Sequence, residues 1–251
     1  MSIPNPLRIV TYNIHGCRSG LDRIAAFIRD QEPDIVFLQE ATRPEFDPHR
    51  RDQAAAIAEE LGGYHVASAA GLDYLHPPSQ GDPAILSRFD LRDARMIHGK
   101  DRGRAFGLLA TINAPGRSLH LLSVHTHATF KLEFGHIWES SKTRMIQVTQ
   151  LMELVEKLDG DVIIAGDFNA ADWMPEYKML TRHWTDFGLV SGDAKLSFPS
   201  HQPQVRIDYV FGRGAFETRS YEVLDVRLSD HRPVSALIER AGSRRSLTDD
   251  E

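Results

Sequence analysis

Polar and ionisable side chains stand where short apolar runs of the chain stop or begin. The side chains that share this placement are Asn13, Glu40, His125, Asp167, Asn169, Asp208, Asp230 and His231. Because strand ends in a layered αβ fold lie together at one edge of the core, we expect these groups to converge on one cleft. The sequence therefore predicts a site that combines carboxylates, amides and imidazoles.

This set of side chains suits hydrolysis at phosphorus with the help of a hard cation. Oxygen ligands without thiolates favour Mg²⁺ or Mn²⁺ over structural zinc, and Cys17 is the only cysteine. A bound cation neutralises phosphate oxygens and stabilises a leaving oxygen. A carboxylate then deprotonates water while an imidazolium stabilises the charge on phosphorus, and such general acid–base help contributes about 10²–10⁴-fold in rate.

Apolar runs and helical periodicity predict an αβ protein with more strands than helices. The predicted strands are 7–12, 34–38, 84–87, 105–112, 118–124, 162–165, 207–211, 221–226 and 234–238. The predicted helices are one around 24–28, one at 52–61 and one at 143–158. Turn residues at 113–116 predict a hairpin between the strands that flank them. Since hairpins and helical crossovers both occur, we expect an α/β (α+β) fold, with two mixed sheets packed face to face and helices outside.

The ordered motifs resemble the endonuclease/exonuclease/phosphatase superfamily. The resemblance extends from Arg8 to Ile238, and its most specific matches are Gly166-Asp167-Phe168-Asn169-Ala170 and Ser229-Asp230-His231-Arg232-Pro233-Val234. One short match is weak, whereas an ordered set of matches is strong. The resemblance implies a four-layered αββα sandwich and a metal-dependent phosphohydrolase. We expect a single domain over residues 1–240 and a flexible tail over 241–251.

The resemblance also implies which residues hold the metal ion and the attacking water. Glu40 would be the main metal ligand, with Asn13 and Asp230 close to the ion. Asp167 would position or deprotonate the water, and Asn169 would contact phosphate. Structural alternatives exist for these residues: Asp167 and Asn169 are preferred helix caps, whereas Asn13 and Asp230 suit turns.

The remaining predicted site residues face the phosphate group. By the same resemblance, His231 would stabilise the pentacovalent transition state and would be oriented by Asp208. His125 would be the second histidine that faces the phosphate. Arg104 either contacts phosphate or forms an ion pair inside the fold. Two further histidines lie near the site by sequence without an assigned role: His15 and His127.

Family resemblance alone does not fix the substrate of this site. The first hypothesis is a phosphodiesterase that acts on a phospholipid head group or a similar small phosphodiester. The alternatives are a DNA or RNA nuclease, a phosphomonoesterase and, least favoured, a catalytically idle binding module. Phosphodiester hydrolysis should depend on the metal ion in either of the first two cases.

Composition bears on both the substrate and the compartment. The formal net charge is −6, which disfavours tight non-specific binding of nucleic acid because such binding depends on many Lys and Arg contacts to phosphates. A single cysteine fits a reducing compartment. Met1 to Leu7 contain prolines and no apolar region, so we expect no signal peptide, and no apolar run is long enough to span a bilayer. We therefore expect a cytoplasmic protein without a transmembrane segment.

Three aromatic residues recur every four positions after His127: Phe130, Phe134 and Trp138. This spacing would place them on one face of a helix. We favour the interpretation that they cover the core. The alternative is an apolar lip beside the active site, which would receive a lipid chain or a base and contact a membrane surface.

Overall fold

The computed structural model describes residues 3–41, 52–69, 82–100, 105–113, 117–129 and 134–240. The strands are β1 Leu7–Asn13, β2 Ile35–Gln39, β3 His65–Ala67, β4 Ala84–Ser87, β5 Arg92–His98, β6 Ala105–Ile112, β7 Leu119–His125, β8 Asp161–Asp167, β9 Thr185–Asp186, β10 Asp208–Arg213, β11 Phe216–Val223 and β12 Val234–Arg240. The helices are α1 Leu21–Asp30, α2 Gln53–Leu61, α3 Phe134–Glu156, α4 Pro175–Leu180 and α5 Phe187–Ser191. The expected tail at 241–251 lies outside the described residues, as do Arg104 and Phe130.

The strands form two mixed sheets of six strands each. The first sheet has the order β11-β12-β1-β2-β4-β3, and the second has the order β5-β6-β7-β8-β10-β9. In the first sheet β1 and β2 are parallel, and in the second sheet β7 and β8 are parallel. The predicted hairpin is confirmed, since β6 and β7 pair antiparallel with Ile112 opposite Leu119.

Successive side chains of each strand point to opposite faces of its sheet, and together they form three apolar layers. Ile9 and Phe37 of the first sheet share the central layer with Leu121 and Ile163 of the second sheet. The first sheet packs its other face on α1 and α2 through a cluster that includes Val10, Val36, Ile24, Ile28 and Ile57. The second sheet packs its other face on α3 and α4 through a cluster that includes Leu122, Ile164, Val148, Leu151, Tyr177 and Leu180. Each fully buried side chain of this kind contributes about 1.5–3 kcal/mol, and the expected αββα sandwich is confirmed.

Helix α3 is longer than the sequence predicted. It begins at Phe134 rather than at residue 143, because the polar run 139–142 separates the helically spaced Phe134 and Trp138 from the apolar positions that predicted the helix at 143–158. Trp138 lies in this added part and its side chain is 55% exposed. The interpretation that Trp138 covers the core is therefore wrong.

Other differences between prediction and structure concern edge strands. Strand β5 escaped prediction because its sequence, Arg-Asp-Ala-Arg-Met-Ile-His, carries charged residues and is largely exposed at a sheet edge. Strand β11 begins at Phe216, five residues before the predicted start at Tyr221, and it is also an edge strand with several exposed positions. Within the described ranges, no helix is long and apolar enough to cross a membrane.

Candidate active site

The ends of paired strands bring the predicted site residues to one edge of both sheets. Because β1 and β2 are parallel, they end side by side, with Asn13 opposite Gln39 and Glu40 following directly. In the second sheet, Asp167 at the end of β8 lies opposite His125 on β7 and opposite Asp208 on β10. The fold therefore brings carboxylates from distant parts of the chain to the same edge of the two sheets.

Gly166 allows β8 to lie very close to β7 just before Asp167. Its φ is +145°, a conformation that residues with a side chain rarely adopt. A Cβ atom at this position would lie 2.0 Å from the carbonyl oxygen of Val124. The glycine of the Gly-Asp-Phe-Asn motif is thus required by the close contact of β8 with β7.

Asp167 lies at the centre of the site and is almost fully buried. Its Oδ2 atom accepts a hydrogen bond from Asn13 Nδ2 at 3.2 Å. The same oxygen lies 3.5 Å from His125 Nε2 and 3.6 Å from His231 Nε2. Burial raises the pKa of the Asp167 carboxyl above its usual range, although the two histidines oppose this rise. A buried carboxylate with a raised pKa accepts a proton more readily than an exposed one.

Asn13 links Asp167 to Glu40. The Asn13 amide nitrogen that contacts Asp167 also lies 3.3 Å from Glu40 Oε1. Its Oδ1 atom accepts a hydrogen bond from the backbone N–H of His15 at 3.1 Å, so Asn13 supports the turn as well as the site. Glu40 has a φ of +55°, and such a conformation in a residue other than glycine costs about 1–3 kcal/mol. The fold thus fixes Glu40 beside Asn13 in spite of backbone strain.

His231 is held between two carboxylates. Its Nδ1–H donates to Asp208 Oδ2 at 2.9 Å, which turns Nε2 towards Asp167. Burial alone would lower the pKa of His231, but the charges of Asp208 and Asp167 raise it to about 10. The imidazole is therefore protonated at neutral pH and presents a positive charge to the site.

Asp230 lies beside His15, a histidine for which no role was predicted. Its Oδ1 atom lies 3.2 Å from His15 Nδ1 and accepts a hydrogen bond from the Ser229 hydroxyl. Partial burial favours the neutral acid, but the hydrogen bond from His15 and the charge of His231 lower the pKa of Asp230 to about 2. Asp230 is therefore an anion at neutral pH.

Asn169 is positioned by the strand ends rather than by the next helix. Its backbone N–H donates to Asp167 Oδ1 at 2.8 Å, and its Nδ2 donates to the Thr126 carbonyl at 3.1 Å. Its φ is +47°. Helix α4 is capped by Met174 without a side-chain hydrogen bond, so neither Asp167 nor Asn169 caps it.

The donor atoms of the site fit a hard cation. In the part of the chain that the structure describes, Asp167, Asp208 and His231 can each offer a ligand atom within 4.8 Å of the others. The Asp208 carboxylate already accepts hydrogen bonds from His231 and Ser197. Asp167 and Glu40 instead share the Asn13 amide, which gives an oxygen-rich environment without thiolates of the kind that Mg²⁺ prefers.

Two residues that support this site were not predicted from the sequence. Ser197 contacts Asp208, and the side chain of Gln147 contacts the backbone of His127. These contacts join segments that are far apart in sequence, and no local motif indicates them. Arg144, a weaker match to the family by sequence, also contacts the His127 backbone. The predicted phosphate contact of Arg104 lies outside the described residues.

Comparisons with known proteins agree with this architecture. The model of the Endonuclease/Exonuclease/phosphatase family matches residues 10–231, whereas no curated protein matches. The Bacteroides vulgatus endonuclease/exonuclease/phosphatase structure is 18% identical with a TM-score of 0.75, covering 94% of this chain and 100% of its own. Truncated Caenorhabditis elegans TDP2 is 19% identical with a TM-score of 0.72, covering 93% and 97%.

These solved structures share the fold of the chain, and the family model covers most of its length, including every site residue from Asn13 to His231. The chain belongs to the endonuclease/exonuclease/phosphatase family and is a metal-dependent phosphoester hydrolase.

Proposed function

We propose that the protein is a Mg²⁺-dependent phosphodiesterase, with Mn²⁺ as the alternative cation. The charge balance of the site is the observation that supports this proposal. Asp167 and Asp208 flank the imidazolium of His231, and Glu40 shares the Asn13 amide with Asp167. A phosphodiester carries one negative charge at neutral pH, whereas a phosphomonoester carries nearly two. Because like charges repel strongly in a buried site, the carboxylates that a bound cation would leave uncompensated favour the diester, which brings the smaller negative charge.

In the proposed mechanism, Asp167 accepts a proton from the attacking water. Its raised pKa suits this role, because a general base works best with a pKa closer to the working pH. The Asn13 amide orients the Asp167 carboxylate, and Asn169, held by the Thr126 carbonyl, contacts a phosphate oxygen. These groups place water and phosphorus in line for displacement.

The two histidines stabilise the negative charge that develops on the phosphate oxygens. His231 presents Nε2–H as a charged donor and is kept protonated by Asp208. His125 approaches Asp167 from β7 and forms the second donor. Preorganised donors of this kind each contribute about 10²–10³-fold in kcat.

Glu40, Asn13 and Asp230 would hold the cation in this proposal. The lowered pKa of Asp230 keeps it ionised, and a bound Mg²⁺ would neutralise phosphate charge and stabilise the leaving oxygen. We infer that the substrate is a phospholipid head group or a similar small phosphodiester, because the formal net charge of −6 disfavours a polyanion. The lone Cys17 supports a cytoplasmic location.

The proposed function is tested by hydrolysis of bis-p-nitrophenyl phosphate and p-nitrophenyl phosphate with Mg²⁺, Mn²⁺ or EDTA. We expect metal-dependent turnover of the diester in preference to the monoester. Asp167→Asn should reduce kcat by at least about 10²-fold, because it removes the general base without changing the shape of the side chain.

Asp172→Asn is the matched control, since Asp172 is an exposed carboxylate five residues further along the chain. It should retain wild-type turnover. A preference for the monoester would contradict the phosphodiesterase proposal, and full activity of Asp167→Asn would contradict the role of Asp167.

A further inference from the structure

Ser197 is a fully buried serine in the loop that precedes β10. Its hydroxyl donates to Asp208 Oδ2 at 2.6 Å. The Ser197 Oγ atom in turn accepts hydrogen bonds from the backbone N–H groups of Ile207 and Asp208, each at 3.3 Å. All hydrogen-bonding capacity of the hydroxyl is thus used at the start of the strand that carries Asp208.

The backbone of Ser197 also contacts the segment that carries His231. Its carbonyl accepts a hydrogen bond from the Arg232 N–H at 2.8 Å. The ring of the next residue, Phe198, lies 4.8 Å from the His231 ring between centroids. Ser197 and Phe198 therefore join the start of β10 to the loop after Asp230, and they do so beside the Asp208–His231 pair.

The Ser197 hydroxyl fixes the orientation of the Asp208 carboxylate. Asp208 Oδ2 accepts from both Ser197 Oγ and His231 Nδ1. The terminal torsion of an aspartate side chain is broad. His231 Nδ1 lies 2.9 Å from Oδ2 and 3.2 Å from Oδ1, so His231 alone lets the carboxylate turn between these two contacts. A second donor at a defined position restricts this rotation and with it the direction in which His231 Nε2 points.

We propose that Ser197 is a positioning residue for catalysis, which acts by holding the Asp208 carboxylate in the plane that directs His231 towards Asp167. This inference rests on the proposed function for the roles of Asp208 and His231. Ser197 itself is buried behind Asp208 and does not touch the reacting atoms. A merely structural serine would contribute to stability without changing the geometry of His231.

Two variants of equal shape separate these possibilities. Ser197→Thr keeps a hydroxyl at this position, whereas Ser197→Val has a side chain of nearly the same shape without it. We expect Ser197→Val to lower kcat for bis-p-nitrophenyl phosphate by about 10–100-fold relative to Ser197→Thr. Loss of a hydrogen-bond partner that orients a metal ligand has an effect of this size, and Ser197 orients Asp208 in the same way. KM should be the same for both, because the substrate contacts are unchanged.

Ser123→Ala is the control for loss of a buried hydroxyl. The Ser123 hydroxyl is also fully buried, but it donates to the Leu38 carbonyl rather than to a carboxylate of the site. This variant should lose thermal stability while its kcat stays at the wild-type value. Equal kcat values for the folded Thr and Val variants would overturn the positioning role, as would a difference confined to KM.

A spectroscopic measurement keeps this test independent of turnover. The proton on His231 Nδ1, which forms a hydrogen bond to the Asp208 carboxylate, should give a downfield ¹H resonance that disappears in His231→Gln. We expect this resonance to shift in Ser197→Val and to stay in place in Ser197→Thr. Failure of the wild type to hydrolyse the diester would contradict the proposed function. An unchanged resonance in Ser197→Val would contradict only the role of Ser197.

Discussion

At the scale of single residues, the charge of His231 links the site to the stability of the protein. Asp208 and Asp167 raise the pKa of His231 to about 10 in the folded protein, whereas the pKa in an unfolded chain is about 6.5. The folded state therefore binds the proton more tightly. The resulting stabilisation is fully present below about pH 6.5 and is lost as the pH rises towards 10.

We predict that the stability difference between the wild type and His231→Gln depends on pH. The free energy of unfolding, measured in urea at several pH values from 6 to 10, should favour the wild type most at pH 6. This advantage should decrease steadily towards pH 10, as His231 loses its proton. Ser123→Ala removes a buried hydroxyl that does not titrate, so its difference from the wild type should stay constant. A constant difference for His231→Gln as well would contradict the raised pKa.

The convergence of the predicted site residues on one edge could be predicted, but their hydrogen-bond partners could not. The motif around Asp167 ends an apolar strand and the motif around His231 precedes one, and the sequence shows both features directly. The contact of His15 with Asp230 and that of Ser197 with Asp208 depend on how loops fold back. Such contacts join residues that no periodicity relates, because periodicity reports only which face of a strand or helix is buried.

At the scale of elements, helix α3 supports the segment that follows His125. The guanidinium of Arg144 donates to the His127 carbonyl at 3.1 Å and to Thr129 Oγ1 at 2.9 Å. Its Nε–H donates to Glu176 Oε1 of α4 at 2.9 Å, and both side chains of this ion pair are fully buried. One arginine thus ties α3 to α4 and to the loop behind the site.

We predict that Arg144→Met lowers the free energy of unfolding by about 3–5 kcal/mol, because it leaves the Glu176 carboxylate buried without its cation. Urea denaturation gives this value. The double variant Arg144→Met/Glu176→Gln should recover part of the loss, since it removes the buried charge as well. A double variant no more stable than Arg144→Met would show that lost packing, rather than the unpaired charge, dominates.

The elements also show where sequence patterns lose their information. Buried strands such as β1 and β8 were predicted to within one or two residues, because both ends of each apolar run are marked by polar residues. The first part of α3 was not joined to the predicted helix because the polar run 139–142 interrupts the apolar pattern between Trp138 and residue 143. Elements held mainly by polar contacts therefore need the three-dimensional structure to be recognised.

At the scale of the whole molecule, the topology places an exposed aromatic side chain near the edge that carries the site. Strand β7 ends at His125 on this edge, and α3 then runs back towards the start of β8 at Asp161. Trp138 lies in the second turn of α3, about two turns before Arg144 and Gln147, which contact the His127 backbone next to this edge. Lys142 Nζ lies 5.8 Å from the centre of the Trp138 ring. An exposed indole beside a lysine suits the boundary between water and a lipid surface, because both side chains combine an apolar body with a polar end.

We predict that Trp138→Ala impairs cleavage of phospholipids in vesicles but spares bis-p-nitrophenyl phosphate. The small diester reaches the site without contact to Trp138, whereas a lipid must leave its bilayer beside the protein. Leu189→Ala is the control, because Leu189 is equally exposed on α5 and should affect neither substrate. Equal losses on both substrates would contradict the lipid contact. Cleavage of DNA that falls steeply with salt, without turnover of vesicles, would replace the lipid with a nucleic acid as the substrate.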